Sequence, residues 1–260
     1  MNKNENWLKE ILISPETNEK LIIQDNLFVT DSGKKYEYAD GILSFIRVSD
    51  LTGQDAKMNR MYNYLAPFYD FSERFLGRLF TGVDMEKGRQ DIVNRLGLKP
   101  GMRLLEVSPG PGVFQKYLRD KIGNNAEFVS VDLSFPMLQQ CKKRNKHLNV
   151  NLIQADAQKL PFVSESFDVV FHFGGVNLFN DSSKAINEFI RVTRKGGIVS
   201  WGDEGFTEDY KNKHKIRAKI LAKMNPGYNK TIPLIPDTVD NAIIHRVYDE
   251  LCYLVVGIKK

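Results

Sequence analysis

Glycine and acidic residues follow three predicted strands at the positions where parallel sheets bind ligands. The first strand ends in Glu106-Val-Ser-Pro-Gly-Pro-Gly112, whose glycines let a ligand approach the backbone at the start of a helix. Asp132 ends the next strand, where a carboxylate can accept both hydroxyls of a ribose. Asp156 and Ala157 follow the third strand. Because the carboxyl ends of parallel strands share one edge, we expect one site there for an adenosyl or dinucleotide ligand.

Two prolines in the glycine segment decide between these two ligands. A dinucleotide fingerprint has the pattern G-x-G-x-x-G/A, but here Gly110 and Gly112 are followed by Gln115 at the last position. Pro109 and Pro111 also lack the N–H groups that a pyrophosphate would use. An adenosyl ligand without phosphates tolerates that loss, so the sequence favours it over nicotinamide or flavin.

The elements that must position these residues begin at Lys99, where short apolar runs alternate with helical segments. This alternation predicts a parallel sheet with right-handed crossovers, covered on both faces. The last predicted helix is capped by Asp181 or Ser182 and stopped by Gly196. The predicted strands are 103–107, 127–132, 151–155, 167–173 and 197–201, the predicted helices are 112–122, 134–146 and 182–195, and the segments 243–248 and 252–258 predict an antiparallel hairpin.

The chain divides into three predicted parts. Residues 1–48 consist of short alternating runs separated by turn residues, which predict a small β-rich unit. Residues 49–98 form a helical cap or linker that ends with a helix over 84–96. Residues 99–260 hold the core, with an insertion at 203–241.

The insertion contains a strongly basic run from Lys211 to Lys223. Within it, Ile216, Ile220 and Met224 lie four residues apart and predict an amphipathic helix. One interpretation of the basic run is a solvated helix face, and the other is contact with an anionic acceptor, RNA or a membrane surface.

Composition sets further limits. The 260 residues include 37 Lys and Arg against 32 Asp and Glu, an excess that permits an anionic partner without requiring one. Two cysteines, Cys141 and Cys252, cannot form a disulfide framework or a four-thiolate zinc site. No apolar run is long enough to cross a bilayer, and the first residues lack the apolar core of a signal peptide. These features predict a soluble cytoplasmic protein, and they leave the oligomeric state open.

Five stretches in order resemble the class I S-adenosylmethionine (SAM) methyltransferases, a group that includes quinone-ring C-methyltransferases. The resemblance covers about residues 60–202, and Ser108 stands where the family pattern E/D-x-G-x-G-x-G has its first glycine. It implies an α/β fold, a Rossmann-like, doubly wound, mostly parallel seven-stranded sheet with a C-terminal antiparallel hairpin. The five stretches are Tyr62–Asp70, Leu105–Gly112, Val131–Ser134, Ala155–Phe162 and Phe189–Gly197.

The resemblance also implies roles for single residues. Asp132 would hold the ribose of SAM, and Glu106 would orient the glycine loop and the ammonium group, although it could instead be a surface carboxylate. Tyr62 and Tyr69 would cap the pocket, with core packing as their alternative role. The full implied cofactor-binding set is Tyr62, Tyr69, Glu106, Ser108, Pro109, Gly110, Gly112, Asp132, Leu133, Asp156, Ala157, Phe173 and Gly174, with S-adenosylhomocysteine as the product.

The reacting centre would lie beside Phe173 and Gly174, at the end of the fourth strand. His172 is the candidate base there, with a buried structural histidine as the alternative. Asn177 is a candidate substrate ligand that could instead shape its loop. The expected function is methyl transfer to a small-molecule acceptor. The alternatives are an RNA methyltransferase and a non-catalytic protein that binds SAM or a partner.

The N-terminal unit carries a second resemblance, to the small zinc-ribbon-like domain that precedes or activates some methyltransferases. The runs that carry it are Ile13–Thr17, Thr30–Gly33 and Tyr36–Ile42. The four ligand positions would be Ser14, Thr17, Thr30 and Gly33, none of which is a cysteine. Without thiolates a tetrahedral zinc site is not expected, and the unit is predicted to be a metal-free β domain kept for packing or partner contact.

Overall fold

One mixed sheet of eleven strands organises the computed structural model, which describes residues 5–24, 27–46, 83–224 and 235–260 together with Gly53 and Tyr228. The strands are β1 (Leu21–Gln24), β2 (Leu27–Thr30), β3 (Lys35–Ala39), β4 (Ile42–Ser44), β5 (Leu104–Val107), β6 (Phe128–Asp132), β7 (Asn151–Gln154), β8 (Phe167–Phe173), β9 (Thr193–Glu204), β10 (Val239–Val247) and β11 (Cys252–Lys259). The helices are α1 (Glu5–Ile11), α2 (Met85–Arg95), α3 (Gln115–Ile122), α4 (Phe135–Arg144), α5 (Ser182–Val192), α6 (Glu208–Lys213) and α7 (Lys215–Met224).

The strand order places a crevice at the centre of the sheet. The order is β1-β2-β3-β4-β7-β6-β5-β8-β9-β11-β10, and the pairs from β4 through β9 are parallel. From β5 the chain builds outward to β6 and β7 and then returns to add β8 on the other side of β5. Open α/β sheets bind ligands at such a reversal, outside the carboxyl ends of the strands.

The predicted fold class is confirmed, and so is the hairpin that closes the sheet. Strand β11 lies antiparallel between β9 and β10. The turn before β11 contains Tyr248, Asp249 and Glu250 with φ values of 51°, 52° and 67°. Three consecutive side-chain-bearing residues in this left-handed region form a strained turn.

The predicted end of helix 182–195 is wrong. Asp181 caps the helix as expected by accepting a hydrogen bond from the Lys184 N–H at 2.9 Å. The helix nevertheless ends at Val192, because Thr193 is extended and its hydroxyl donates to the Phe189 carbonyl at 2.7 Å. Gly196, with φ of 69°, lies instead in an irregular stretch of β9 opposite the start of β8.

The N-terminal strands continue the sheet of the core. Strand β4 pairs in parallel with β7, so that Ile42 faces Leu152 and Ser44 faces Gln154. Ile42 is fully buried in a cluster with Leu138 of α4. The division into a separate unit at residues 1–48 stays a prediction, and in the structure this unit shares the backbone ladder of the core.

The described part of the insertion contains two helices, one of which its pattern predicted. Helix α7 includes the predicted amphipathic segment, but its buried residues are Ala218 and Leu221. Ile216 is 79% exposed and Ile220 is 51% exposed, so the predicted apolar face does not face the core. In the part of the chain that the structure describes, no helix is long and apolar enough to span a membrane.

Hydroxyl groups organise the two N-terminal loops that carry the zinc-ribbon-like positions. The buried Ser14 hydroxyl accepts the N–H groups of Glu16 and Thr17 at 3.3 and 3.1 Å and shares a 2.7 Å bond with the Tyr36 hydroxyl. In the second loop, the Thr30 hydroxyl accepts the Lys34 N–H at 2.9 Å. These hydrogen bonds stabilise both turns.

We expect Ser14→Ala to lower the free energy of unfolding by about 1–3 kcal/mol, because it removes the hydrogen bonds that the buried hydroxyl makes to Glu16, Thr17 and Tyr36. Thr17→Ala is the matched control, since its hydroxyl makes only a long, exposed bond of 3.4 Å, and we expect a change below about 0.5 kcal/mol. Urea unfolding measures both.

The N-terminal unit is predicted to contain no metal. Adding a chelator should therefore leave the melting temperature of the protein unchanged. One zinc ion per chain, measured by elemental analysis, would contradict this prediction.

Candidate functional site

The loop after β5 has an unusual backbone at three positions. Ser108, Gly110 and Gly112 have φ values of 55°, 54° and 75°. Ser108 adopts this left-handed conformation although it carries a side chain, which explains why a glycine suits the position. Its N–H donates to the Val131 carbonyl at 2.7 Å and attaches the loop to β6.

The two glycines of this loop serve different purposes. A Cβ added at Gly110 would meet no atom within 4 Å, so this glycine borders open space where a ligand can approach. A Cβ at Gly112 would lie 2.5 Å from Asn145 Nδ2 and 2.6 Å from Cys141 Sγ. Gly112 therefore allows the loop to pack closely against Cys141 of α4 and against Asn145, which follows α4. Gly110 instead leaves space on the side of the loop where a ligand can approach.

Asp132 connects this loop to the end of β6. Its Oδ2 accepts the Gly110 N–H at 2.9 Å, and its Oδ1 accepts the Ser134 N–H at 2.9 Å. Burial raises the pKa of this carboxyl to about 6, and the backbone N–H bonds partly oppose that rise. Each oxygen keeps a second lone pair, so the carboxylate can still accept hydroxyls from a ligand.

Glu106 is buried beneath the glycine loop and is not a surface carboxylate. It is 2% exposed, and its Oε2 accepts the Ser130 hydroxyl at 2.9 Å, which in turn accepts Gln115 Nε2 at 2.9 Å. Its Oε1 is buried without a hydrogen-bond partner among the described residues. Burial raises the pKa of Glu106 to about 7, with the Ser130 hydroxyl acting in the opposite direction. The unpartnered oxygen can therefore bind a cation.

Three further residues of the predicted cofactor-binding set, Leu133, Asp156 and Ala157, follow β6 and β7. Asp156 Oδ1 accepts the N–H of Gln158 at 2.8 Å, which shapes the turn after β7. Ala157 is buried beside it. The Leu133 carbonyl, directly after Asp132, accepts Gln154 Nε2 at 3.0 Å. The turn after β7 is thus hydrogen-bonded internally, while Gln154 links β7 to the residue after Asp132.

The other half of the crevice depends on an aspartate that the sequence analysis missed. Asp203 is fully buried at the end of β9. Its carboxylate accepts the N–H groups of Gly175 at 3.1 Å and Asn177 at 2.8 Å, and so fixes the loop after Gly174. Its signal in the sequence is an acidic residue ending the apolar run of the fifth predicted strand.

Aromatic rings border the site at the end of β8. The Phe173 ring centre lies 5.6 Å from that of Phe114, which follows the glycine loop, and 5.7 Å from that of Tyr248 in the strained hairpin turn. Phe173 was predicted here, whereas Phe114 and Tyr248 were not. No sequence motif indicates Phe114 or Tyr248, because only tertiary packing brings their rings next to Phe173.

His172 lies inside the core. It is fully buried between the rings of Phe179 and Phe189, and its Nδ1 is 3.0 Å from the Val107 carbonyl oxygen. A carbonyl only accepts hydrogen bonds, so Nδ1 carries the proton. Burial lowers the pKa of His172, which keeps the ring neutral. This environment favours the structural role, and catalysis by His172 stays a prediction.

The structure thus brings together Glu106, Gly110 and Asp132 on one side of the crevice and Phe173 on the other. Tyr62 and Tyr69 lie outside the described residues. The roles of all these residues toward a cofactor stay predictions.

Comparison with known proteins shows which family the central part of the chain is similar to. Residues 105–200 match the methyltransferase domain family, and this range contains the glycine loop and the acidic strand ends described above. The fold is the methyltransferase fold, and residues 105–200 are similar to methyltransferase domains.

Two bacterial relatives make the similarity more specific. The chain is 33% identical over 137 residues to the demethylmenaquinone methyltransferase of Renibacterium salmoninarum, covering 53% of this chain and 54% of the relative. It is 32% identical over 147 residues to the ubiquinone/menaquinone biosynthesis C-methyltransferase UbiE of Campylobacter jejuni, covering 55% of this chain and 61% of the relative. The chain therefore spans little more than half of the length of these relatives.

Two solved structures share the fold at low sequence identity. One is Haemonchus contortus phosphoethanolamine N-methyltransferase 2 with bound S-adenosylhomocysteine, with a TM-score of 0.51, 18% identity, and coverage of 66% of this chain and 52% of that chain. The other belongs to the complex of the Haloferax volcanii Trm112 methyltransferase activator with a methyltransferase, with a TM-score of 0.51, 15% identity, and coverage of 76% and 97%.

The buried carboxyl of Glu106 predicts a pH dependence of stability. Its folded pKa of about 7 exceeds the ordinary value of 4.5, so protonation stabilises the fold fully below about pH 4.5. This contribution is lost as the pH rises through about 7. We expect the free energy of unfolding of the ligand-free protein, relative to Glu106→Gln, to fall by about 2–3 kcal/mol from pH 5 to pH 8.

Urea unfolding at several pH values measures this difference. Asp132 contributes a similar pH dependence of the free energy of unfolding to both proteins, and the comparison with Glu106→Gln removes this contribution. Parallel stability curves for the two proteins would show that Glu106 is charged throughout this range.

Proposed function

We propose that the protein transfers a methyl group from SAM to a small-molecule acceptor. The observation that carries this proposal is the convergence of Gly110, Asp132 and Glu106 at the reversal of the sheet. Gly110 leaves room for a ligand, and the two buried carboxylates can bind hydroxyl and ammonium groups. A ligand with a ribose at one end and an ammonium group at the other matches this arrangement.

The residues fit SAM in a definite orientation. Asp132 would accept the ribose hydroxyls, and Glu106 Oε1 would neutralise the ammonium group, since it has no partner among the described residues. Asp156, Ala157 and Leu133 would surround the adenine. When bound, SAM supplies an electrophilic methyl group on a positively charged sulfur.

The aromatic side of the crevice is proposed to bind the acceptor. The half-buried ring of Phe173, packed against the buried rings of Phe114 and Tyr248, would offer a flat apolar surface, which favours a planar or apolar acceptor. Asn177, whose backbone N–H donates to Asp203 in the loop after β8, is proposed to contact the acceptor. The relatives are named for quinone substrates, and a quinone-like ring is therefore the first acceptor class to test.

The basic run of the insertion gives little support to RNA as the acceptor. Lys211 pairs with Glu208 at 2.7 Å, and Lys213 pairs with Asp209 at 2.6 Å, both within α6. These ion pairs neutralise part of the positive charge that an RNA would need. We propose that this face is mainly solvated.

Methyl transfer is a direct displacement, so positioning and exclusion of water can provide much of the rate. The rigid loops at Gly110 and Asn177 would align the two reactants. No proton transfer through His172 is required by this scheme. The N-terminal unit is proposed to be a metal-free, zinc-ribbon-like domain.

Replacing Asp132 tests the proposed cofactor site. Asp132→Ala removes about two charge-assisted hydrogen bonds, each contributing about 1.5–3 kcal/mol, so SAM affinity should fall at least about tenfold. Asp132→Asn is the matched variant, since it keeps one acceptor oxygen and should show a smaller loss. Calorimetry gives both affinities. Unchanged SAM affinity in folded Asp132→Ala would place the ribose elsewhere.

Incubation with labelled SAM and fractionated extracts tests the acceptor. We expect label in small-molecule fractions, with quinone-like compounds tested first.

Replacing the basic residues of the insertion tests the RNA alternative. Replacing Lys211, Lys213 and Lys215 by Ala should leave SAM affinity within about twofold and transfer to a neutral acceptor nearly unchanged, because these charges are screened by water and salt. Label in RNA, lost in this variant, would favour the RNA alternative. SAM binding without any labelled product would favour a non-catalytic protein.

A further inference from the structure

The N-terminal unit, taken as the described residues 5–24 and 27–46, contacts the core on the cofactor side of the sheet. Strand β4 extends the sheet next to β7, and the Phe45 N–H donates to the Gln154 carbonyl at 2.8 Å. Leu12 pairs with Phe162 in an antiparallel bridge, at the end of the turn that begins at Asp156. The unit therefore reaches both segments expected to surround the adenosine of SAM.

A line of hydrogen bonds runs from this unit to the carboxylate of Asp132. The Ser44 hydroxyl donates to Gln154 Oε1 at 2.6 Å, and Gln154 Nε2 donates to the Leu133 carbonyl at 3.0 Å. The same peptide group carries the Ser134 N–H, which donates to Asp132 Oδ1 at 2.9 Å. The peptide between Leu133 and Ser134 is thus held on one side by Gln154 and orients Asp132 on the other.

The chemistry of each group fixes the direction of this line. A carbonyl oxygen only accepts, so the amide nitrogen of Gln154 must face Leu133, and its oxygen must face the Ser44 hydroxyl. The Ser44 hydroxyl also lies 3.1 Å from the Ile46 carbonyl, but the bond to Gln154 is the shorter one. Hydrogen bonds in such a line polarise one another where water is excluded.

Gln154 is an unusual residue for its position. It is 4% exposed and ends a strand whose neighbours Leu152 and Ile153 are apolar. A buried amide is costly unless both its ends are bonded. Here one end is bonded by the N-terminal unit and the other by the loop after β6, so the two partners depend on each other.

We propose that Ser44 and Gln154 are positioning residues for the cofactor, through which the N-terminal unit orients the Asp132 carboxylate toward the ribose of SAM. This inference rests on the proposed role of Asp132. It assigns to the N-terminal unit a direct part in cofactor affinity, in addition to any role in packing.

Calorimetric titration of the full chain tests the proposal. Ser44→Ala should weaken SAM and adenosine by the same factor of about five, and Gln154→Met, which is similar in length but apolar, by at least that factor. Combining the two changes should cost no more than Gln154→Met alone, because both break the same line. Ser44→Thr keeps the hydroxyl and should retain the affinity of the unchanged protein.

The decisive measurement is Ser44→Ala in an Asp132→Asn background. If Ser44 acts through Asp132, the loss caused by Ser44→Ala should shrink to less than about twofold there. Ser32→Ala is the matched control, since the Ser32 hydroxyl bonds Glu19 in the same unit, away from β4, and should leave SAM affinity unchanged.

Several outcomes would overturn the proposal. Ser44→Ala could lower SAM affinity fivefold both in the unchanged protein and in the Asp132→Asn protein, or Ser32→Ala could lower SAM affinity as well. Either result would mean that the substitutions destabilise the N-terminal unit in general. Ser44→Ala with a lower melting temperature and unchanged SAM affinity would assign Ser44 to stability alone. If Asp132→Asn and Asp132→Ala both leave SAM affinity unchanged, the ribose assignment fails, which is distinct from failure of the link to Ser44.

Discussion

The carboxylate of Asp132 is the interaction that holds together the loops after β5 and β6. A buried carboxylate is unfavourable unless hydrogen bonds stabilise it, and here the Gly110 and Ser134 N–H groups do so at 2.9 Å each. Because these groups belong to the loops after β5 and β6, one side chain fixes two loops. Burial raises the pKa of Asp132 to about 6, and the backbone N–H groups around it oppose that rise. In the proposed complex with SAM, the ribose hydroxyls would add further hydrogen bonds to this carboxylate.

Asp203 has the corresponding part on the other side of the crevice. It accepts the N–H groups of Gly175 and Asn177, so it shapes the loop after β8 as Asp132 shapes the loop after β5. Asp132 could be predicted, because its distance from the glycine loop matches the spacing of a ribose carboxylate. Asp203 was missed, because an acidic residue two positions after the predicted end of the fifth strand matches no ligand-binding pattern.

Features that depend on local sequence patterns could be predicted, whereas features that depend on tertiary contacts could not. Local patterns predicted the strands and helices of the core and the hairpin, since apolar periodicity and cap residues act within a few positions. The helix stop at Gly196 was wrong because Thr193 bonds to Phe189 and ends the helix earlier. Ile216 and Ile220 have helical spacing, but tertiary packing selected Ala218 and Leu221 as the buried face.

The attachment of the N-terminal strands to the core is the largest feature that local patterns do not reveal. Strand β4 has three residues, and its partner β7 is more than a hundred positions away. Strand pairing over such a separation depends on the shape of the whole sheet. The pairing also covers β7, which would otherwise present an unpaired apolar edge. The N-terminal unit and the core therefore share one sheet edge, one apolar cluster and one line of polar bonds, and a change in either part acts on the other.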